Sequence, residues 1–166
     1  MILIDLPIIH FQVMKGYLKN DEETKKTLKE GNWLHTGDLA YYDDKKYFFV
    51  VGRLKELIKV NGLQVAPAEL ENILRIHPKI GDIAVVGVPH AQKGEVPFAF
   101  VVKKKGLKED LEVAEIHDFL NEKIADYKRL TGGINFVDTI PYSPAGKILR
   151  KNLLQYYHDK ISPHIK

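Results

Sequence analysis

The stretch "ELIKVNGLQVAPAELENILRIHP", residues 56–78, restricts the fold more than any other. Asn61-Gly62 sits between two short apolar runs. A two-residue hairpin turn puts both central positions at positive φ, which Asn and Gly tolerate best. Residues 56–65 therefore read as a tight β-hairpin, and residues 66–78 as a helix. Pro67 suits the first helical turn, and Glu69 and Glu71 suit its positive end. Leu70, Ile73 and Leu74 form an apolar stripe, and Pro78 stops the helix. A hairpin that runs straight into a helix needs more sheet to cover it.

The following residues supply that sheet. "IGDIAVVGVP" (80–89) and "VPFAFVVKKK" (96–105) read as buried strands, and "INFVDTI" (134–140) as a third. "LEVAEIHDFLNEKI" (111–124) carries Val113, Ile116, Phe119 and Leu120 at helical spacing, and "ILRKNLLQYYHDKI" (148–161) reads as a closing amphipathic helix. The order predicts a small α+β domain with helices packed on a sheet. Upstream, "DEETKKTLKEGNW" (21–33) predicts a short polar helix closed by Gly31, and "LAYYDDKKYFFVVG" (39–52) a hairpin around a charged turn. Trp33, Tyr41, Tyr42 and Tyr47 are expected in core and inter-strand packing. His35 is expected to serve backbone groups, and His77 and His117 to lie on helix surfaces. "GRLK" (52–55) joins the two blocks, as a hinge or as an ordinary turn.

Composition narrows the function classes. Lys and Arg exceed Asp and Glu by only 25 to 22, without a basic arm, so nucleic-acid binding has little support. With no cysteine there is no disulfide framework and no thiol chemistry. The seven histidines are scattered outside any zinc-ligand spacing, so no metal site is expected. No apolar run reaches the ~20 residues of a membrane span. No secretory leader pattern and no Ser-Lys-Leu ending occur, so a cytoplasmic setting is the expectation.

One loop stands out. "PYSPAGKILRK" (141–151) places Lys147 between a Pro/Gly-rich turn and a helix start. Loops carry function more often than cores do. On these residues alone, a solvated surface lysine is the simpler reading.

Four stretches change that reading by their order and spacing: "NWLHTGDLAYYD" (32–43), "VGRLKELIKVNGLQVAPAELE" (51–71), "GEVPFAFVV" (94–102) and "SPAGKILRK" (143–151). Together they resemble the C-terminal part of the adenylate-forming superfamily: acyl-CoA synthetases, coumarate–CoA ligases and beetle luciferases. The resemblance runs from about Val13 to Leu154. It implies that residues 1–52 are the tail of a large adenylation domain, 53–55 a hinge, and 56–166 a small C-terminal lid. Such enzymes join a carboxylic acid to ATP, giving an acyl-adenylate and pyrophosphate. The lid then turns, and coenzyme A takes the acyl group to leave AMP.

The resemblance also implies roles. Lys147 matches the lid lysine of the PxxxxGK loop, which bridges the carboxylate and the α-phosphate as negative charge builds. Asp38, in "TGD", matches the aspartate that accepts the ribose hydroxyls, and Arg53 an arginine at the nucleotide. By themselves, Asp38 reads more simply as a helix-cap or turn residue, and Arg53 as a surface ion-pair partner. Lys55 falls at the hinge. Lys59, Gly62 and Gln64 lie on the hairpin presented in the thioester step, although an Asn-Gly turn needs Gly62 whatever binds nearby.

The departures matter too. Nothing like a Ser/Thr/Gly-rich phosphate loop occurs, so ATP, Mg²⁺ and the acid are expected to be held by a large domain outside this sequence. The isolated chain is then expected to be an inactive fragment, with residues 1–52 poorly ordered or rearranged and unpaired at their edges. Lys46 stands where the resemblance leads one to expect a turn glycine. A non-catalytic lid-like binding module and a luciferase-like monooxygenase fragment are the alternatives.

Overall fold

The computed structural model describes residues 4–106 and 109–164, without the His164 side chain. The backbone divides into two compact units, Met1–Lys55 and Glu56–Lys166.

The first unit is an antiparallel sheet built around one long strand. Strand β3 (Trp33–Tyr42) pairs on one side with β1 (Ile4–Ile8), and on the other with β2 (Leu28–Lys29) and β4 (Phe48–Arg53). These four strands make one sheet. Helix α1 (Asp21–Thr27) is capped by Asn20, whose side chain accepts the Glu23 N–H at 3.0 Å. It ends earlier than "DEETKKTLKEGNW" suggests, because Leu28 and Lys29 leave it to pair with Leu34 and Trp33. At the β3–β4 turn Lys46 itself adopts φ +64°, and the Asp43 carboxylate accepts the Tyr47 N–H at 2.9 Å. A side chain at positive φ costs roughly 1–2 kcal/mol, which this local bonding offsets.

The aromatics of this unit correct an expectation. Tyr41 stacks on Phe49 at 5.0 Å and Tyr42 meets Phe48 at 5.9 Å, as cross-strand neighbours. Trp33, Tyr42 and Tyr47 are nevertheless exposed and form no core. Among the described residues of this unit only Leu39 and Ala40 are buried. His35 bonds the Asp5 carboxylate at 3.1 Å, a side chain in place of the expected backbone groups.

In the second unit the sequence pattern is realised closely. The hairpin of β5 (Ile58–Val60) and β6 (Leu63–Val65) leads into α2 (Pro67–Leu74). Then β7 (Ile80–His90) and β8 (Gly94–Lys103) pair antiparallel along their whole length. After α3 (Val113–Asn121), β9 (Gly133–Phe136) joins β8 in parallel. Helix α4 (Arg150–Tyr156) continues as a wider turn to Ile161.

Parity along β7 and β8 builds two cores. Ile83, Val85, Ala99 and Val101 face one way, under Leu70 and Leu74 of α2 and Ile116 and Leu120 of α3. Ala84, Val86, Val88, Val96, Phe98 and Phe100 face the other, under Leu153 of α4 and Tyr157. Both faces are buried, which explains why these strands read as continuous apolar runs. Gly132 fits this packing by lacking a side chain: a Cβ there would lie 2.8 Å from the Pro97 carbonyl oxygen.

His77 also departs from its expected surface position. Helix α2 stops before it, and the imidazole turns inward to 5% exposure, edge-on to Phe119 at 4.7 Å. Its Nδ1 accepts the Lys79 N–H at 3.3 Å, and its Nε2 lies 3.4 Å from Glu115 Oε1. Among the described residues, no helix is long and apolar enough to cross a membrane.

Candidate functional site

Lys147 sits on a small closed loop between β9 and α4. Tyr142 and Ile148 bridge its mouth. The Ser143 N–H donates to the Lys147 carbonyl at 2.8 Å, the Gly146 N–H to the Ser143 carbonyl at 2.9 Å, and the Lys147 N–H to Ser143 Oγ at 3.1 Å. Gly146, at φ +75°, supplies the left-handed residue that this reversal needs. Lys147 is exposed, and among the described residues its ammonium takes no ion-pair or hydrogen-bond partner. A cation left unpaired on a tight loop is available to an incoming anion.

The loop is tied at both roots. The Tyr142 hydroxyl donates to both Asp82 carboxylate oxygens, at 3.0 and 2.8 Å. Burial, then the Asp82 carboxylate, pushes the Tyr142 phenol above its ordinary value. At the other root Arg150 reaches Glu71, which is only 3% exposed, and Glu56. Burial pulls the Arg150 guanidinium down, but Glu71 and then Glu56 outweigh it and hold it above its ordinary value. Sequence reasoning passed over Arg150, although it lies inside "SPAGKILRK".

The hairpin residues fall on one strand pair. Lys59 and Gln64 are direct cross-strand partners and both are exposed, while Ile58, Val60 and Val65 point into the core. Asn61 and Gly62 take φ +50° and +79° at the turn. The Lys59 N–H donates to Glu95 Oε2 at 2.9 Å, and β5 joins β8 at Val60–Gly94.

In the first unit the structure brings Asp38 and Arg53 together. They are partners across β3 and β4, with Arg53 Nε 2.9 Å from Asp38 Oδ1. Arg53 also donates to the Thr36 carbonyl at 3.0 Å, and Thr36 Oγ1 accepts the Asp38 N–H at 3.0 Å. Lys55 lies in the single helical turn Leu54–Glu56 at the boundary between the units, and is exposed. Among the described residues, no group of three or more acidic, His or Cys side chains is placed to hold a metal ion. A concave region of about 460 Å³ beside Phe136, Asp138, Asn152 and Tyr156 contains none of the residues singled out from the sequence.

A two-faced sheet with three packed helices, a projecting Asn-Gly hairpin and a lysine-bearing loop before the last helix is the C-terminal domain architecture of adenylate-forming enzymes. Comparison with known proteins makes the assignment specific. Residues 69–147, within the second unit, match the AMP-binding enzyme C-terminal domain. The chain is 52% identical over 142 residues to 4-coumarate–CoA ligase 1 of Glycine max, covering 86% of this chain and 48% of that protein. It is 49% identical over 136 residues to luciferin 4-monooxygenase of Luciola mingrelica, covering 82% and 24%. The crystal structure of ATP-bound MatB from Rhodopseudomonas palustris superposes with a TM-score of 0.78 at 33% identity, over 87% of this chain and 28% of that one. The chain thus spans about half or less of the length of these relatives.

Proposed function

We propose that this chain supplies the C-terminal part of an AMP-forming acid–CoA ligase, with Lys147 as the cation that serves adenylate formation. The observation that carries the reading is the exposed Lys147 ammonium, unpaired among the described residues, on a loop closed by its own backbone bonds. A carboxylate approaching an α-phosphate meets like charge, and a bridging cation relieves it. At ~4 Å and an effective dielectric near 20, one such pair is worth about 4 kcal/mol. Lysine suits the task as a compact charge on a flexible stem.

The other residues take supporting parts in this reading. Asp38 offers its oxygens to the ribose hydroxyls, and Arg53 steadies that carboxylate and faces the nucleotide. Lys55 lies where the lid turns between half-reactions. Lys59, Gly62 and Gln64 form the face for coenzyme A, where Gly62 lets a narrow ligand pass close to the backbone. ATP, its Mg²⁺ and the carboxylic acid are held by a large adenylation domain. The chain alone is then without ligase turnover.

The test is a fusion of residues 53–166 to the large domain of a related ligase. Adenylate and thioester formation are followed separately, with and without Lys147→Ala. The expected result is restored thioester formation, and an adenylation rate lowered by about 10²–10³ in the variant. An unchanged adenylation rate would refute the lysine's role. The 49% identity to a luciferin 4-monooxygenase favours a second reading, a luciferase-like part. A parallel fusion of residues 53–166 to the large domain of a luciferin 4-monooxygenase, given luciferin, ATP and oxygen, tests this second reading: light emission supports it, and a dark fusion counts against it.

A further inference from the structure

Arg150 has no part in the roles assigned above, yet its guanidinium makes four hydrogen bonds to three separate pieces of the second unit. Nε donates to Glu56 Oε2 at 2.8 Å, beside the unit boundary. One terminal nitrogen donates to Glu71 Oε1 at 2.6 Å and to the Val85 carbonyl at 3.0 Å. The other donates to Glu71 Oε2 at 3.2 Å. Glu71 Oε1 also accepts the Val85 N–H at 2.8 Å, so α2, β7 and the start of α4 meet at one carboxylate.

Arg150 is the first residue of α4 and directly follows the loop that carries Lys147. The tip of that loop, residues 144–147, is exposed, so no packing holds it in place. Its orientation depends on its two roots: Tyr142 on Asp82, and Leu149-Arg150 on Glu71, Val85 and Glu56. The Leu149 N–H, which donates to the Pro141 carbonyl at 2.9 Å, links the two roots.

We propose that Arg150 is a positioning residue for Lys147: its fork fixes the C-terminal root of the loop to α2, β7 and Glu56, and so sets where the ammonium is presented. A planar guanidinium can serve a bidentate carboxylate, a carbonyl and a second carboxylate at fixed angles, and a lysine ammonium at the same position cannot. The proposal rests on the reading of Lys147 given above only for its functional meaning. The mechanical claim about the loop stands apart from it.

Amide hydrogen exchange on the full 166-residue chain tests the mechanical claim. In Arg150→Lys, the amides of Gly146, Lys147 and Leu149 are expected to exchange about tenfold faster, while those of β7 and β8 keep their rates. Where Arg150→Lys does not fold, Arg150→Met combined with Glu71→Met removes both charges together, and the same loop acceleration is expected against unchanged β7 and β8 amides other than Val85, whose N–H loses its Glu71 acceptor. Unchanged loop exchange overturns the proposal. So does acceleration that only keeps step with β7 and β8, or failure of both variants to fold, since each makes Arg150 a general stability residue. The exchange measurement needs no ligand and no turnover. Failure of the Lys147→Ala test would sink the functional reading and leave this result intact.

Discussion

Replacing Arg150 by methionine keeps much of the apolar stem and deletes the charge. What remains is Glu71, 3% exposed, with only the Val85 N–H as partner among the described residues. Breaking a buried ion pair by removing one member costs about 3–5 kcal/mol, because the other charge is left uncompensated. The Glu56 arm adds little, since that carboxylate is 42% exposed and pairs of this kind are worth about 0–1 kcal/mol. The single variant is therefore expected to lose about 3–5 kcal/mol, and Glu56→Gln less than about 1. With a urea slope of about 2 kcal/mol per molar, the midpoint falls by about 2 M. Adding Glu71→Met to Arg150→Met should recover part of the loss, since it removes the stranded charge but leaves the Val85 N–H without its acceptor. Urea unfolding followed by circular dichroism measures all four proteins. A single variant within about 1 kcal/mol of the parent would refute the reasoning. So would a double variant no better than the single.

Two further outcomes follow from the geometry. The Tyr142 phenol is held above its ordinary value, so the stability it contributes is present below pH ~10 and is lost as pH rises through the folded value. Tyr142→Phe should be less stable than the parent at neutral pH, with the difference fading in alkaline solution; a constant gap across that range would contradict this. Gly132→Ala and Gly62→Ala should differ in cause. The first pushes a methyl onto the Pro97 carbonyl and costs about 1–3 kcal/mol by overpacking. The second meets open space and loses only about 1–2 kcal/mol to positive φ. Thermal melts of both, beside Gly62→Asn as a variant that tolerates that backbone, separate the two effects.

Much of the second unit could be read from residues alone, because its signals are local. Asn61-Gly62 and Pro67 specify their turn and helix start within a few positions, and the apolar runs 80–89 and 96–105 are the long antiparallel pair. What stayed hidden depends on contacts far apart in the chain. Arg150 reads as a solvated helix residue until Glu71, 79 positions away, closes on it. His77 reads as exposed until α2 stops short and turns it towards Phe119. The strand at Ile4–Ile8 was missed because its pairing partner lies some thirty residues on, at Leu34–Ala40. Of the candidate site, the resemblance named Lys147, Asp38, Arg53 and the hairpin residues. The Asp38–Arg53 pairing and the two loop roots emerged only from the fold.

The alternation along β7 and β8 also governs which changes of length this domain can absorb. Deleting one residue between Ile83 and Val86 would rotate every later side chain through half a turn, sending Val86 towards α2 and α3 and emptying the slot above Tyr157 in the same stroke. Two hydrophobic layers would fail together. Only insertions or deletions that come in even numbers keep each side chain on its own side, so lineages of this domain should vary in length outside these strands or in steps of two within them.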